Sequence, residues 1–281
     1  MRRPLGPRDE YRSRAQMVTT ANDDREMGRL LFFDVNCTLG PRTAPRPETM
    51  LGDLEVAAEL ARHGITHALC IHAHAQELDP ATGNRRLAGL DTAGWPVVVH
   101  RCFVVMPHHT GEIPRAGHLL AYLRENRAEA VRLCPRVHGF SLGATGSGEL
   151  LATLEEASIP VLIEMDQTSW DELDGVAERH PGLRLVALRV GYRADRAMYP
   201  VLERRPGVCV ETSNYVGHRA IEHFVQTFGA GRLVFGTAAP VFAPGGAVAP
   251  VLYAEVDEAA KDAIAGANLR RLIEASAVGE V

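Results

Sequence analysis

The sequence contains a single lysine, Lys261, although lysine and arginine together number 30 in 281 residues. Arginine carries almost all the positive charge, a bias that reads as codon usage rather than chemistry. No apolar run approaches the ~20 residues that a membrane-crossing helix needs, so a membrane partner is not expected. The net charge of −5 and a pI near 6.2 offer no basic surface for nucleic acid or an anionic membrane. Five cysteines are present, Cys37, Cys70, Cys102, Cys134 and Cys209, an odd count without a CxxC pair. With no apolar leader segment, they read as buried free thiols of a cytoplasmic protein. No cysteine has an obvious histidine partner, and nucleophilic catalysis by serine or cysteine is not expected.

What is present is a repeat of buried strands. The stretch Leu30–Val35 runs four apolar residues into Asp34, and polar Asn36 and Thr38 follow before Gly40-Pro41. Such a run fits a strand covered on both faces. Seven more follow at His67–His72, Val97–Met106, Ala130–Cys134, Val161–Met165, Leu185–Val190, Val208–Thr212 and Leu233–Gly236. Helical patterns separate them, among them Glu48–His63 with Leu51, Leu54, Ala57, Ala58 and Leu60 on one face, a short helix near Arg85–Ala93, and Glu149–Ala157. Strand–helix units at about 30-residue spacing predict an α/β protein, a (β/α)8 TIM-like barrel over residues 29–281. A doubly wound open sheet is the alternative; it would usually carry a Gly-rich phosphate loop after its first strand, and Asn36–Gly40 is not one. Residues 1–28 are polar and Arg-rich. They read as a disordered arm or as lying upstream of a start at Met17 or Met27.

Five segments, FFDVNCT (32–38), IPVLIEMD (159–166), HPGLRLVALRVG (180–191), RLVFGTAAP (232–240) and ANLRRLI (267–273), resemble the amidohydrolase-related, family 2-like branch of the amidohydrolase superfamily. The resemblance spans Leu30 to about Ile273. It implies a barrel holding one or two divalent metals on an HxH pair, a mid-barrel His or modified Lys, a sixth-strand His and an eighth-strand Asp. Carried over by position, those places hold Asn36 and Thr38, Glu164, Arg189 and Ala238. A catalytic zinc needs about three ligands from His, Cys or carboxylate, and a guanidinium puts a fixed positive charge where the ion would sit. The usual metal site is therefore expected to be missing and no cofactor is expected, although a divalent metal relocated to His72 and His74, which have HxH spacing on the second strand, stays open.

In a barrel the polar residues at the C-terminal strand ends converge on one mouth. The acid–base candidates there are Glu164, Asp166, Glu211 and His138, with Glu164 and Asp166 two apart on one strand. The substrate-binding candidates are Asn36, His72, His74, Arg132, Arg136, Arg189, Tyr192, Arg193, Ser213, Tyr215, His218 and Arg219. Arg132 interrupts an apolar stretch, so it either pairs with Glu164 or Asp166 or meets an anionic ligand. Arg189 either stands in for a cation or simply pairs with Glu164 or Glu211. A small anionic organic molecule is the partner that forked guanidiniums suit. Three readings remain: a metal-independent hydrolase, lactonase, isomerase or lyase, a barrel that binds a small ligand or protein partner without turnover, and a metal-dependent hydrolase with its site relocated to His72 and His74. Related barrels often form homodimers, which is analogy only.

Overall fold

The structure, a computed structural model, describes residues 30–44 and 50–278. The expectations for residues 1–28, and for a first helix starting at Glu48, lie outside them. Eight parallel strands follow one another around a single sheet in sequence order: β1 (Phe32–Leu39), β2 (Ile65–His72), β3 (Val98–Val104), β4 (Ala128–Leu133), β5 (Val161–Glu164), β6 (Leu185–Leu188), β7 (Val208–Glu211) and β8 (Leu233–Val234). The last closes onto the first. The Val35 amide donates to the Phe235 carbonyl (3.0 Å) and the Thr38 amide to the Ala239 carbonyl (2.9 Å).

Between the strands lie α1 (Asp53–Arg62), α2 (Ala73–Glu77), α3 (Pro80–Ala88), α4 (Ala116–Glu125), α5 (Ala144–Glu156), α6 (Trp170–Arg179), α7 (Asp195–Arg204), α8 (Ala220–Phe228) and α9 (Pro244–Leu252). The chain then runs through α10 (Glu258–Asp262), a π-helical turn at Ala263–Ala267, and α11 (Asn268–Glu274). No helix among the described residues is long and apolar enough to cross a membrane.

Strand parity divides the core in two. Phe33, Val35, Leu69, Ile71, Cys102, Val104, Leu162, Val186, Leu188, Cys209 and Val234 fill the barrel lumen. The alternate residues, such as Phe32, Leu39, Phe103, Val131, Ile163 and Val210, pack outward under the helices. Burial of each large apolar side chain contributes about 1.5–3 kcal/mol. All five cysteines are free and buried in these layers.

Several elements differ from the sequence expectation. β1 runs on to Leu39, because a register shift between Asp34 and Cys37 lets the strand carry Asp34, Asn36 and Thr38 inside it. α1 starts at Asp53 and buries Val56, Ala57 and Leu60, while Leu51 and Leu54 are exposed. Glu55 Oε2 accepts from the Gly52 amide (2.7 Å) and so fixes that start. The short helix expected near Arg85–Ala93 lies earlier, at Pro80–Ala88. Asp79 caps α3 by accepting from the amides of Ala81 and Thr82, and Pro80 sits where its missing N–H costs nothing. Gly83 lets α3 cross α2, since a methyl there would overlap the Ala75 backbone. α9 was not expected from PGGAVAPVL; it forms because Pro244 opens it and Ala247, Val248 and Val251 are buried.

Candidate functional site

The lumen side of β4 carries Ala130 and then, two residues on, Arg132. Its guanidinium thus enters the barrel near the C-terminal strand ends, 1% exposed. The same parity on β5 places Glu164 inward after Leu162, and on β7 Glu211 after Cys209. β6 ends at Leu188, and Arg189 follows in a left-handed backbone conformation (φ 51°).

These side chains meet. Arg132 Nη1 donates to Glu164 Oε1 (3.3 Å) and Nη2 to Asn36 Oδ1 (2.7 Å). Arg189 Nη1 donates to the other Glu164 oxygen, Oε2 (3.4 Å). One carboxylate is thereby shared by two guanidiniums. Both Nε groups and Asn36 Nδ2 are buried without an acceptor. A buried donor left unpaired costs about 1–3 kcal/mol, and an oxyanion brought to this cluster would supply acceptors.

Glu211 braces the cluster from behind. It accepts from the Arg189 amide (2.8 Å), the Ser213 amide (2.9 Å) and the Ser213 hydroxyl (2.9 Å). Burial pushes its pKa up to about 7, opposed by these same donors. Gly236 makes room for it, since a methyl there would overlap Oε1. Glu211 therefore fixes the Arg189 backbone, and Ser213 spends its hydroxyl on Glu211.

Sequence reasoning missed Asp34. It is fully buried, and burial raises its pKa against the hydrogen bonds it accepts and the nearby charge of Arg132. It accepts from the Asn36 amide (2.9 Å), the Thr237 amide (2.9 Å) and the Thr237 hydroxyl (2.5 Å), tying β1 to the segment after β8. A carboxylate inside an apolar run was itself the signal, because such a group must find partners. Phe242, whose ring lies 5.6 Å from Arg189 Cζ, was also missed.

Other sequence candidates sit apart from the cluster. Asp166 lies beyond the end of β5 and is exposed, so it does not share a strand face with Glu164. Arg136 donates to the carbonyls of Asp166 (2.8 Å) and Thr168 (3.3 Å) and braces that loop. His72 is on the outward face of β2, where Nδ1 accepts from the His74 amide (3.1 Å) and caps α2. His74 is already helical, its Nδ1 3.4 Å from Arg86 Nη1. The pair therefore does not point into the mouth together. His138 lies near the Ala75 and Gln76 backbone, its pKa lowered by burial, with both ring nitrogens buried and unpartnered. Tyr192 is exposed beneath the Arg193 guanidinium (5.0 Å). The Tyr215 hydroxyl donates to Asp195 Oδ1 (2.9 Å), and burial raises its pKa strongly. His218 is exposed, and Arg219 pairs with Glu255 (2.7 Å).

A family model described as Amidohydrolase matches residues 83–274. The chain belongs to the amidohydrolase family. Among solved structures, an uncharacterised TIM-barrel protein from Bordetella bronchiseptica is 17% identical, with a TM-score of 0.68, covering 89% of this chain and 100% of that one. A 5-carboxyvanillate decarboxylase from Sphingomonas paucimobilis is 16% identical, with a TM-score of 0.66 and coverage of 88% and 99%. A 5-carboxyvanillate decarboxylase from Novosphingobium aromaticivorans, complexed with manganese and 4-hydroxy-3-methoxy-5-nitrobenzoic acid, is 14% identical, with a TM-score of 0.69 and coverage of 88% and 97%. At these identities the likeness shows the barrel fold. No curated protein matches the sequence.

This amidohydrolase-family barrel does not fit the metal that its resemblance implies. Both oxygens of Glu164, the one carboxylate at a metal-ligand position, already accept from guanidiniums. Arg189 brings a cation to the place of a ligand. Among the described residues no three His, Cys, Asp or Glu side chains are grouped to hold a metal ion.

Proposed function

We propose that this protein is a cytoplasmic enzyme of the hydrolase or lyase type that acts on a small anionic molecule at the barrel mouth, without a metal cofactor. The observation carrying this reading is the Arg132–Glu164–Arg189 cluster, where two guanidiniums share one carboxylate and retain unpaired N–H groups. In this reading Arg189, the more exposed of the two, meets the ligand's oxyanion, and Arg132 holds Glu164 and Asn36 in place. Donors preorganised toward developing negative charge are each worth about 10²–10³ in rate. The fold shared with decarboxylases supports the lyase form of the reaction. Five buried free thiols suit a reducing compartment.

The test is turnover of a panel of carboxylates and lactones, followed by mass spectrometry on chelator-treated protein whose metal content is measured alongside. Turnover that survives chelation and drops at least about 100-fold in Arg189→Ala is expected. Activity that vanishes on chelation and returns with manganese or zinc would overturn metal independence.

A second reading, ligand binding without turnover, is favoured by the engagement of Glu211 and Ser213 with their own loop. Saturable binding of an anion with no product from any panel member would select it.

A further inference from the structure

An apolar cleft adjoins Arg189 through Phe242. It has a volume of about 310 Å³ and lies between the start of α1 and the segment joining β8 to α9, lined by Leu51, Val56, Pro240, Val241, Phe242 and Pro244. This is the lower end of the size range for small-molecule sites. The one charged lining residue among the described residues, Glu59, is engaged by Arg62 and His63 on its own helix. Phe242 connects the cleft to the cluster, since it lines the one and its ring lies 5.6 Å from Arg189 Cζ of the other. Leu51 and Phe242 are 40% and 37% exposed, so apolar surface is open beside a partly exposed cation.

We infer that the ligand is a compact amphipathic monoanion, with its oxyanion on Arg189 and its hydrocarbon body in the Leu51–Phe242–Pro244 cleft. The inference rests on the proposal that Arg189 meets the anion and adds the chemistry of the rest of the molecule. Charge complementarity fixes the head. Among the described residues no hydrogen-bonding side chain is free along the cleft, which favours a body without hydroxyl or amino groups. Sugar acids and amino acids are the classes this disfavours. Phe242 serves both ends, because it lines the cleft and its ring lies near the guanidinium.

The experiment is calorimetric titration of the full chain with acetate, benzoate, cyclohexanecarboxylate and neutral benzamide as probes. Benzoate or cyclohexanecarboxylate is expected to bind at least about tenfold tighter than acetate, with benzamide weaker than both. Phe242→Ser and Leu51→Ser are each expected to bring that ratio to within about threefold, and Arg189→Gln to remove binding of every anion. Both cleft variants alter exposed side chains, so one remains informative if the other fails to fold. Acetate and benzoate binding equally, with Arg189→Gln abolishing both, would overturn the cleft while leaving the anion reading intact. The larger acids binding with an advantage that both cleft variants preserve would overturn it as well. No binding of any anion would overturn both. Comparison of benzoate with cyclohexanecarboxylate separates an aromatic from an aliphatic body within the same chemistry.

Discussion

Replacing Arg132 by methionine tests whether the buried cluster is an ion pair in energetic terms. Arg132 is among the largest fully buried side chains of the barrel. Methionine has similar length and packs well in irregular space, so volume changes little. The substitution leaves Glu164, 5% exposed, with only the 3.4 Å contact from Arg189. Breaking one partner out of a buried pair costs about 3–5 kcal/mol. Asn36 Oδ1 loses its 2.7 Å donor as well, worth about 1 kcal/mol. Against this, the unpartnered Arg132 Nε and its desolvation cost disappear, which returns about 1–3 kcal/mol. The expected net loss is about 3 kcal/mol, or about 6–12 °C in Tm at 2–4 °C per kcal/mol for a chain of this size. Urea unfolding followed by tryptophan fluorescence measures it. In the double variant Arg132→Met/Glu164→Gln the stranded carboxylate is gone, and Arg189, its side chain 32% exposed, has water as a partner. That variant should therefore be more stable than Arg132→Met alone. A loss below about 1 kcal/mol in the single variant, or strictly additive losses in the double, would refute a coupled buried pair.

Glu211 has an ordinary pKa of 4.5 and about 7 in the fold, so the folded state binds its proton more tightly. Its contribution is present in full below pH 4.5 and is lost as pH rises through 7, about 3 kcal/mol in all, and Glu211→Gln should flatten that slope in urea midpoints. Asp34, also raised, adds to the same slope, whereas Asp79 and Asp174, whose pKa values are lowered by their hydrogen-bond partners, add stability that is lost only as pH falls. Gly236→Ala should cost about 1–3 kcal/mol by pushing Glu211 out of place, and a thermal shift near zero would contradict the close approach. At the opposite end of the barrel, His67 Nδ1 lies 2.9 Å from His100 Nε2, and His100 Nδ1 lies 2.5 Å from Glu129 Oε2. Burial, with the His100 charge second, lowers the His67 pKa to about 4, so its ring protons in an NMR titration should stay unshifted to about pH 5; a midpoint near 6.5 would contradict that environment.

The barrel was legible because its evidence is periodic. Each strand is an apolar run, and parity along the run says which residues enter the lumen. The same parity made Arg132 readable, since a charge inside VRLC had to find a partner, and Glu164 is one of the two that were expected. Parity failed where a strand stopped. His72 closes β2 and His74 belongs to α2, so the two-residue repeat had already given way to the helical one. Glu164 closes β5, and Asp166 falls in the turn after it. The boundary of an element depends on capping and tertiary contacts that local pattern does not carry. The hydrogen bonds of Glu211 were not legible for a related reason. A carboxylate at a strand end looks available to a substrate, but its own chain supplies two donors at Ser213, and the neighbouring loop supplies a third at Arg189.

The charges at the mouth also narrow the chemistry that the proposal can claim. A guanidinium stabilises negative charge across the whole working pH range, but it accepts no proton. The carboxylates that could accept one are occupied: Glu164 by two arginines, Glu211 by three donors, Asp34 by Thr237 and the Asn36 amide. Hydrolysis needs a base to activate water as well as a donor set for the oxyanion, and this cluster provides the second much more clearly than the first. Loss of a carboxyl group as CO2 leaves the electron pair of the broken carbon–carbon bond on the ligand, to be taken up by a proton from solvent, and so demands less from a base. The solvent isotope effect on any turnover discriminates between the two. A large effect that disappears in Glu164→Gln would place proton transfer from water at the centre of the reaction and restore the hydrolase. A value near unity, with Arg189→Ala still lowering kcat, would leave charge stabilisation as the main contribution of the site.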